Sequence, residues 1–204
     1  MELDRLNEMH IDVLREIGNI GSGNAATALA SILSNTVSID VPKVNIVDVN
    51  EAICELGGPE KIAIGVLGKL GGEIEGLMMF LIGSEYAHTI LKVLGCPGKA
   101  DPKEFSEMEQ SAISELGNIL ISSYVNSIAE LSKLTIKTSV PALCVDMIGA
   151  ILSVPAIEMA NVSDKIIFIE DNFVSKEYSI AANMLLVPNI KSLEMIMRRL
   201  GIDL

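Results

Sequence analysis

Apolar and polar positions along the chain follow two periods in turn. From about residue 7 to 33, and again from about 106 to 132, apolar residues recur every three or four positions, which predicts two long helices. "SEME" at 106–109 has the form of a capping box and sets the second helix start at Ser106. After each helix the period falls to two: "VSIDVPKVNIVDV" (37–49) and "TIKTSVPALCVDM" (135–147) alternate as half-buried strands do. Short helical pieces follow, "EAICELGG" and the longer "GAILSVPAIEMAN". Two further strands then read "KIAIGVLGKL" with "GEIEGLMMFLI", and "KIIFIED" with "YSIAANMLLV". Each series closes on a helix ending in Leu-Gly, "SEYAHTILKVLG" and "IKSLEMIMRRLG".

The same plan thus runs twice, and the residues agree. Asn7–Pro42 aligns with Ser106–Pro141 without a gap at an offset of 99, with ten identities in 36 positions, among them Glu16 with Glu115, Gly18 with Gly117 and Asn19 with Asn118. The predicted architecture is α+β: a pseudo-twofold duplicated α-β-(short α)-β-β-α unit forming one six-stranded, largely antiparallel sheet flanked by helices. The chain, 1–204, is read as a single domain of two homologous halves, 1–99 and 100–204, joined through "CPGKADPKE" at 96–104.

At about 100° per residue, Asp12, Glu16 and Asn19 share one helix face, and Ser111, Glu115 and Asn118 share the corresponding face of the second helix. Val13, Ile17 and Ile20, like Ala112, Leu116 and Ile119, are expected to face the core, which leaves both Glu/Asn pairs in solvent. Ordinary solvated polar residues would look the same. Yet Asn in a helix interior costs several tenths of a kcal/mol relative to Ala, and it stands in both copies where the next turn changes from "GSGN" to "LISS". An amide never changes protonation state, so it cannot be a strong base, but it can hold and orient a water. A Glu one turn away can pair with a cationic group on a docked partner. Together they suit a reaction whose electrophile and metal come with the partner, and whose missing element is a placed water. Gly18 and Gly117 beside each Asn permit either close approach of that partner or close helix packing.

Composition removes other chemistries. A net charge of −12 argues against nucleic acid, whose recognition rests on Lys and Arg, and there is no Trp to stack on bases. His10 and His88 are the two histidines and leave almost no material for a triad or a His-rich metal site; both are expected to face solvent. Cys54, Cys96 and Cys144 lack ligand spacing and are expected to be reduced and mostly buried. The glycines of "GNIGSG" at 18–23 run in the reverse order of a dinucleotide fingerprint and lie in a helix, which argues against a nucleotide site. The acidic start "MELDRLNE" is not that of a signal peptide and no run approaches membrane-spanning length, so the expectation is a cytoplasmic protein without membrane insertion.

Asp12-x3-Glu16-x2-Asn19-x22-Pro42 and Ser111-x3-Glu115-x2-Asn118-x22-Pro141 resemble the duplicated signature of the CheC family of chemotaxis phosphatases, which includes CheX and FliY. The resemblance covers the whole chain, and two full motifs without an added domain match the members that give the family its name. It implies hydrolysis of the aspartyl phosphate on the response regulator CheY. Asn19 and Asn118 would each orient the attacking water, and Glu16 and Glu115 would dock against the regulator. Asp12 and Ser111 would be accessory, and Pro42 and Pro141 would mark an edge or bend in the following strand. The protein would carry no cofactor of its own, since Mg²⁺ would come with CheY. The resemblance also implies binding of the receptor deamidase CheD, for which "GAILSVPAIEMAN" offers either a contact surface or part of the core. The competing reading is a non-catalytic adaptor that binds CheY, CheD or both.

Overall fold

The structure is a computed structural model and describes residues 6–33, 37–96, 101–159, 165–174 and 179–202. The elements follow in the predicted order. The first half holds α1 (Glu8–Leu33), β1 (Ser38–Ile39), β2 (Lys43–Asp48), α2 (Val49–Glu55), β3 (Ile62–Gly72), β4 (Gly76–Gly83) and α3 (Ala87–Val93). The second holds α4 (Glu107–Ser132), β5 (Ile136–Thr138), β6 (Ala142–Met147), α5 (Ile148–Met159), β7 (Lys165–Val174), β8 (Ser179–Pro188) and α6 (Ile190–Arg199). The linker segment 97–100 lies outside the described residues, and Pro102–Glu104 form a 3-10 turn before α4.

Both long helices start on a reciprocal cap. Ser106 Oγ accepts from the Glu109 N–H at 3.4 Å while the Glu109 carboxylate accepts from the Ser106 N–H at 2.8 Å. At α1 the same offsets are filled by Asn7 and His10: Asn7 Oδ1 accepts from the His10 N–H at 3.2 Å, and His10 Nδ1 accepts from the Asn7 N–H at 3.0 Å. His10 is therefore buried, contrary to the solvent-facing position expected, because the cap turns its ring inward. His88 is exposed. The cysteines also depart from expectation: Cys96 is half-buried, and Cys54 and Cys144 are exposed. Cys54 sits in the short helix α2, and Cys144 in the edge strand β6.

One antiparallel sheet runs β1-β7-β8-β4-β3-β5, with β2 also on β7 and β6 also on β3. Its strands therefore occupy six positions, the two outer ones each broken in two. The break is a bulge. Ile39 pairs with Phe173 and Lys43 with Glu170, so three residues, Asp40, Val41 and Pro42, oppose two. Thr138 pairs with Leu70 and Ala142 with Leu67, which repeats the arrangement at Ser139, Val140 and Pro141. Proline has no N–H to lend a ladder, and the bulge is where none is needed.

The halves interleave in this sheet. The edge strands of the first half pair with β7 of the second, those of the second half pair with β3 of the first, and the equivalent strands β4 and β8 pair at the centre. One face is covered by α1, α3, α4 and α6 through a core that includes Leu14, Ile17, Leu116, Ile121, Tyr124 and Met197. The other is covered by α2 and α5, with Ala52, Ile151 and Leu152 packed on Met79, Leu81 and Phe168.

Candidate functional site

The helix faces are set by glycine. A β-carbon on Gly18 would stand 2.7 Å from Val44 Cγ2, and one on Gly117 would stand 2.6–2.7 Å from Val66 Cβ, Cγ1 and Cγ2. Both glycines thus let a helix lie directly on the sheet, and close packing is the reason for each. They also shift the core stripe from its expected place. Ile17 and Leu116 are buried, whereas Val13, Ile20, Ala112 and Ile119 are half-buried, because the sheet-facing line passes through Leu14, Gly18, Ala25 and Ile113, Gly117, Ile121.

With Gly18 facing the sheet, about 100° per residue fixes the rest. Gly21 and Asn24 turn toward α4: a β-carbon on Gly21 would strike the Tyr124 ring, and Asn24 Nδ2 donates to Ser127 Oγ at 3.0 Å. Asn19, Asp12 and Glu16 turn the opposite way, up and outward over the edge strand. On α4 the same geometry sends Asn118, Ser111 and Glu115 over the opposite edge. Glu16, Asn19, Ser111 and Glu115 are exposed and Asn118 is half-buried. Among the described residues, no side chain hydrogen-bonds to either Glu/Asn pair, whereas Asp12 accepts from Arg15 Nη1 at 3.0 Å.

The two motifs stand apart in space. α1 runs with β7, Gly18 near Ile169 and Ser22 bonded to Asp171; α4 runs with β3, Gly117 on Val66 and Ile121 against Gly68. Since β3 and β7 run in opposite directions across three antiparallel pairings, the helices are antiparallel. Their Asn residues are then offset along the pair by on the order of 15 Å at 1.5 Å per residue. Pro42 and Pro141 lie in the two bulges, each half-buried and on the side toward which its own stripe leans.

A buried polar cluster went unseen in the sequence. Ser22 Oγ donates to Asp171 Oδ1 at 2.6 Å and lies 2.6 Å from Tyr124 OH, which itself donates to Asp171 Oδ2. It joins α1, α4 and β7 in the core between the helices. Burial pushes the Asp171 carboxyl up, the two hydroxyl donors opposing it, and burial beside Asp171 pushes the Tyr124 hydroxyl up as well. The pseudo-equivalent place holds Ile121, Ala25 and Gly68, all apolar. "GSG" in α1 and "LIS" in α4 differ for this reason: Gly21 makes room for Tyr124, and Ser22 meets Asp171. The one available signal was Asp171 itself, a carboxylate on the strand face that carries Ile167, Ile169 and Phe173.

An apolar hollow of about 40 Å³ lies between Leu29, Phe80, Ile90, Leu116 and Phe173, and none of the motif's polar residues lines it. Among the described residues no three His, Cys, Asp or Glu side chains converge as a metal site, and no helix is long and apolar enough to cross a membrane. An exposed carboxylate and amide on a convex helix can contribute to a reaction only where another surface closes over them.

Known proteins are similar in sequence and in fold. The model of the CheC-like family matches residues 9–46 and 108–145, each stretch taking in one stripe and one bulge. The CheY-P phosphatase CheC of Bacillus subtilis (strain 168) is 30% identical over 203 residues, 98% of this chain and 97% of that protein. Among solved structures, Thermotoga maritima FliY superposes with a TM-score of 0.74 at 20% identity, covering 97% of this chain and 98% of that one. CheX in the CheX-CheY-BeF3-Mg complex from Borrelia burgdorferi gives 0.52 at 16% identity, over 82% and 94% of the two chains. Both share the fold. With the family model on both repeats and 30% identity to a CheC along almost its whole length, this chain belongs to the CheC-like family.

Proposed function

We propose that the chain is a phosphatase that hydrolyses the aspartyl phosphate of the response regulator CheY at two similar sites. The observation that carries this reading is the pair of Glu/Asn stripes, alike in both halves, open to solvent apart from the half-buried Asn118, and without a side-chain hydrogen bond among the described residues. They stand on a chain akin to a named CheY-P phosphatase. A carboxamide offers one acceptor and two donors, so Asn19 or Asn118 can hold a water by its carbonyl while its N–H group meets a phosphoryl oxygen. That places the water in line with the acyl phosphate. Glu16 or Glu115, one turn back, accepts from a cationic or N–H group of the regulator and fixes the docking angle. Mg²⁺ belongs to the regulator and neutralises charge on the phosphoryl group. A hundredfold acceleration requires about 2.7 kcal/mol, which orientation alone can supply. Asp12 and Ser111 are accessory in this scheme.

CheD is proposed as a second partner, on the opposite sheet face. Ile151 and Leu152 bury one side of α5, while Val154 and Ile157 remain exposed on the other. The longer helix of the second half thus serves the core and leaves an apolar strip for a partner.

The test follows the decay of purified phospho-CheY with the parent chain and with Asn19→Ala plus Asn118→Ala. Acceleration by the parent and its loss in the double variant are expected. Full activity in the double variant removes the catalytic assignment, and binding without acceleration by the parent leaves the adaptor.

A further inference from the structure

Two apolar residues stand in the open beside each Glu/Asn stripe, and they are the same two in both halves. Met9 is 60% exposed and Met108 71%; Val41 is 84% exposed and Val140 89%. Single exposed apolar residues need no explanation. Here the positions correspond at an offset of 99 in an alignment where only ten of 36 residues are identical.

Their placement is set by the elements already described. Seven residues before each Glu, Met9 and Met108 lie about 20° from Glu16 and Glu115 around the helix, two turns nearer its start. The valines are held by the bulges. The Asp40 N–H donates to the Asn172 carbonyl at 3.3 Å, and the Ser139 N–H donates to the Lys69 carbonyl at 2.9 Å. Lys69 N–H returns a bond to Ser139 Oγ at 3.0 Å, and Asn172 Nδ2 donates to Asp40 Oδ2 at 2.8 Å. With its neighbour pinned and proline following, each valine is thrown out of the strand. The first bulge stands across from Asp171, which bonds Ser22, one turn beyond Asn19. The second stands across from Gly68, against which Ile121 lies, one turn beyond Asn118. Each stripe is therefore bracketed, a methionine at its start and a valine beside its far end on the side to which the Asn leans.

We infer that Met9 with Val41, and Met108 with Val140, are the apolar contacts that seat the receiver domain of the phosphorylated regulator on each site. This rests on the function proposed above. The polar stripe between them faces the phosphoryl group and its metal, where water must enter. The apolar pair lies outside that zone and supplies the desolvated contact that fixes affinity and partner choice. Duplication beside both stripes ties the contact to whatever docks on the stripes.

The experiment uses the full chain with CheY in two forms: beryllofluoride- and Mg²⁺-loaded for binding, phosphorylated for kinetics. A variant carrying Met9→Ser, Val41→Ser, Met108→Ser and Val140→Ser should raise Kd and KM at least tenfold with kcat within twofold, and should melt as the parent does. Met195→Ser, an exposed apolar residue on α6, should change neither. Asn19→Ala with Asn118→Ala should show the converse, kcat lost and Kd kept. A folded quadruple variant with the parent's Kd and KM overturns the inference, as does one that loses kcat with Kd unchanged. A parent that neither binds nor hydrolyses overturns the proposed function first, and the occupant named here with it.

Discussion

Gly117 lies so close to Val66 that a β-carbon on it would stand 2.6 Å from the valine Cβ. All three Val66 side-chain carbons are involved, so no rotamer change relieves the clash. Overpacking of this kind costs about 1–3 kcal/mol, and the better helix propensity of alanine returns up to ~1 kcal/mol. Gly117→Ala should therefore lower the urea midpoint. Gly18→Ala should lower it less, because only Val44 Cγ2 comes within 3 Å there. Gly23 meets nothing within 4 Å, and Gly23→Ala should raise the midpoint by the equivalent of ~0.5–1 kcal/mol. A raised midpoint for Gly117→Ala would contradict the packing described.

Tyr124→Phe removes a buried hydroxyl that Asp171 uses as a donor. The stranded carboxylate makes this more costly than an ordinary hydrogen bond, about 1–3 kcal/mol. Ser22→Ala should cost a similar amount, and the double variant should depart from the sum, since both hydroxyls serve one carboxylate. Chemical denaturation of the four proteins of the cycle measures this, and strict additivity would show the cluster to be uncoupled.

Asp171 should also make stability depend on pH. Its carboxyl is raised in the folded state by burial, so folding favours the protonated form. That contribution is fully present below the unfolded carboxylate value, about 3.9, and is lost as pH rises through the raised folded value. The parent's melting temperature should fall across that rise relative to Asp171→Asn, which has no proton to lose. Parallel curves for the two proteins would refute it.

Much of this architecture was legible in sequence. Ser106 and Glu109 announced a helix start, the change from period 3.6 to period 2 announced the strands, and the offset of 99 announced the two motif repeats. Strand order was not legible. Alternation says which face of a strand is buried but nothing about its neighbour, and β2 finds β7 across more than 100 residues. Gly18 and Gly117 misled because glycine adds nothing to a hydrophobic pattern, even where it marks the most intimate contact. Ser22, Tyr124 and Asp171 come from three separate segments, each ordinary in its own context. The motif residues could be read because their spacing is local to one helix, and local spacing is what a sequence records best.

Separate stripes on antiparallel helices should act as separate sites. Asn19→Ala and Asn118→Ala singly should each leave the activity of the other site, and only the pair should lose the full acceleration, about a hundredfold. Phospho-CheY decay at saturating substrate distinguishes this from a composite site, in which either change alone would abolish turnover.

The exchange of edge strands has a consequence for how such a chain can change. Each half lends its Val-Pro edge to the other and could not close its own sheet alone, so the halves relate as the subunits of a swapped dimer tied into one polypeptide. The features that hold this embrace together, the bulges, the strand pairings and the two glycines, are distinct from the carboxylate and amide that face outward. One stripe can therefore be lost or retuned while the scaffold persists, and the chain is free to keep a second working surface, a weaker one or a purely adhesive one.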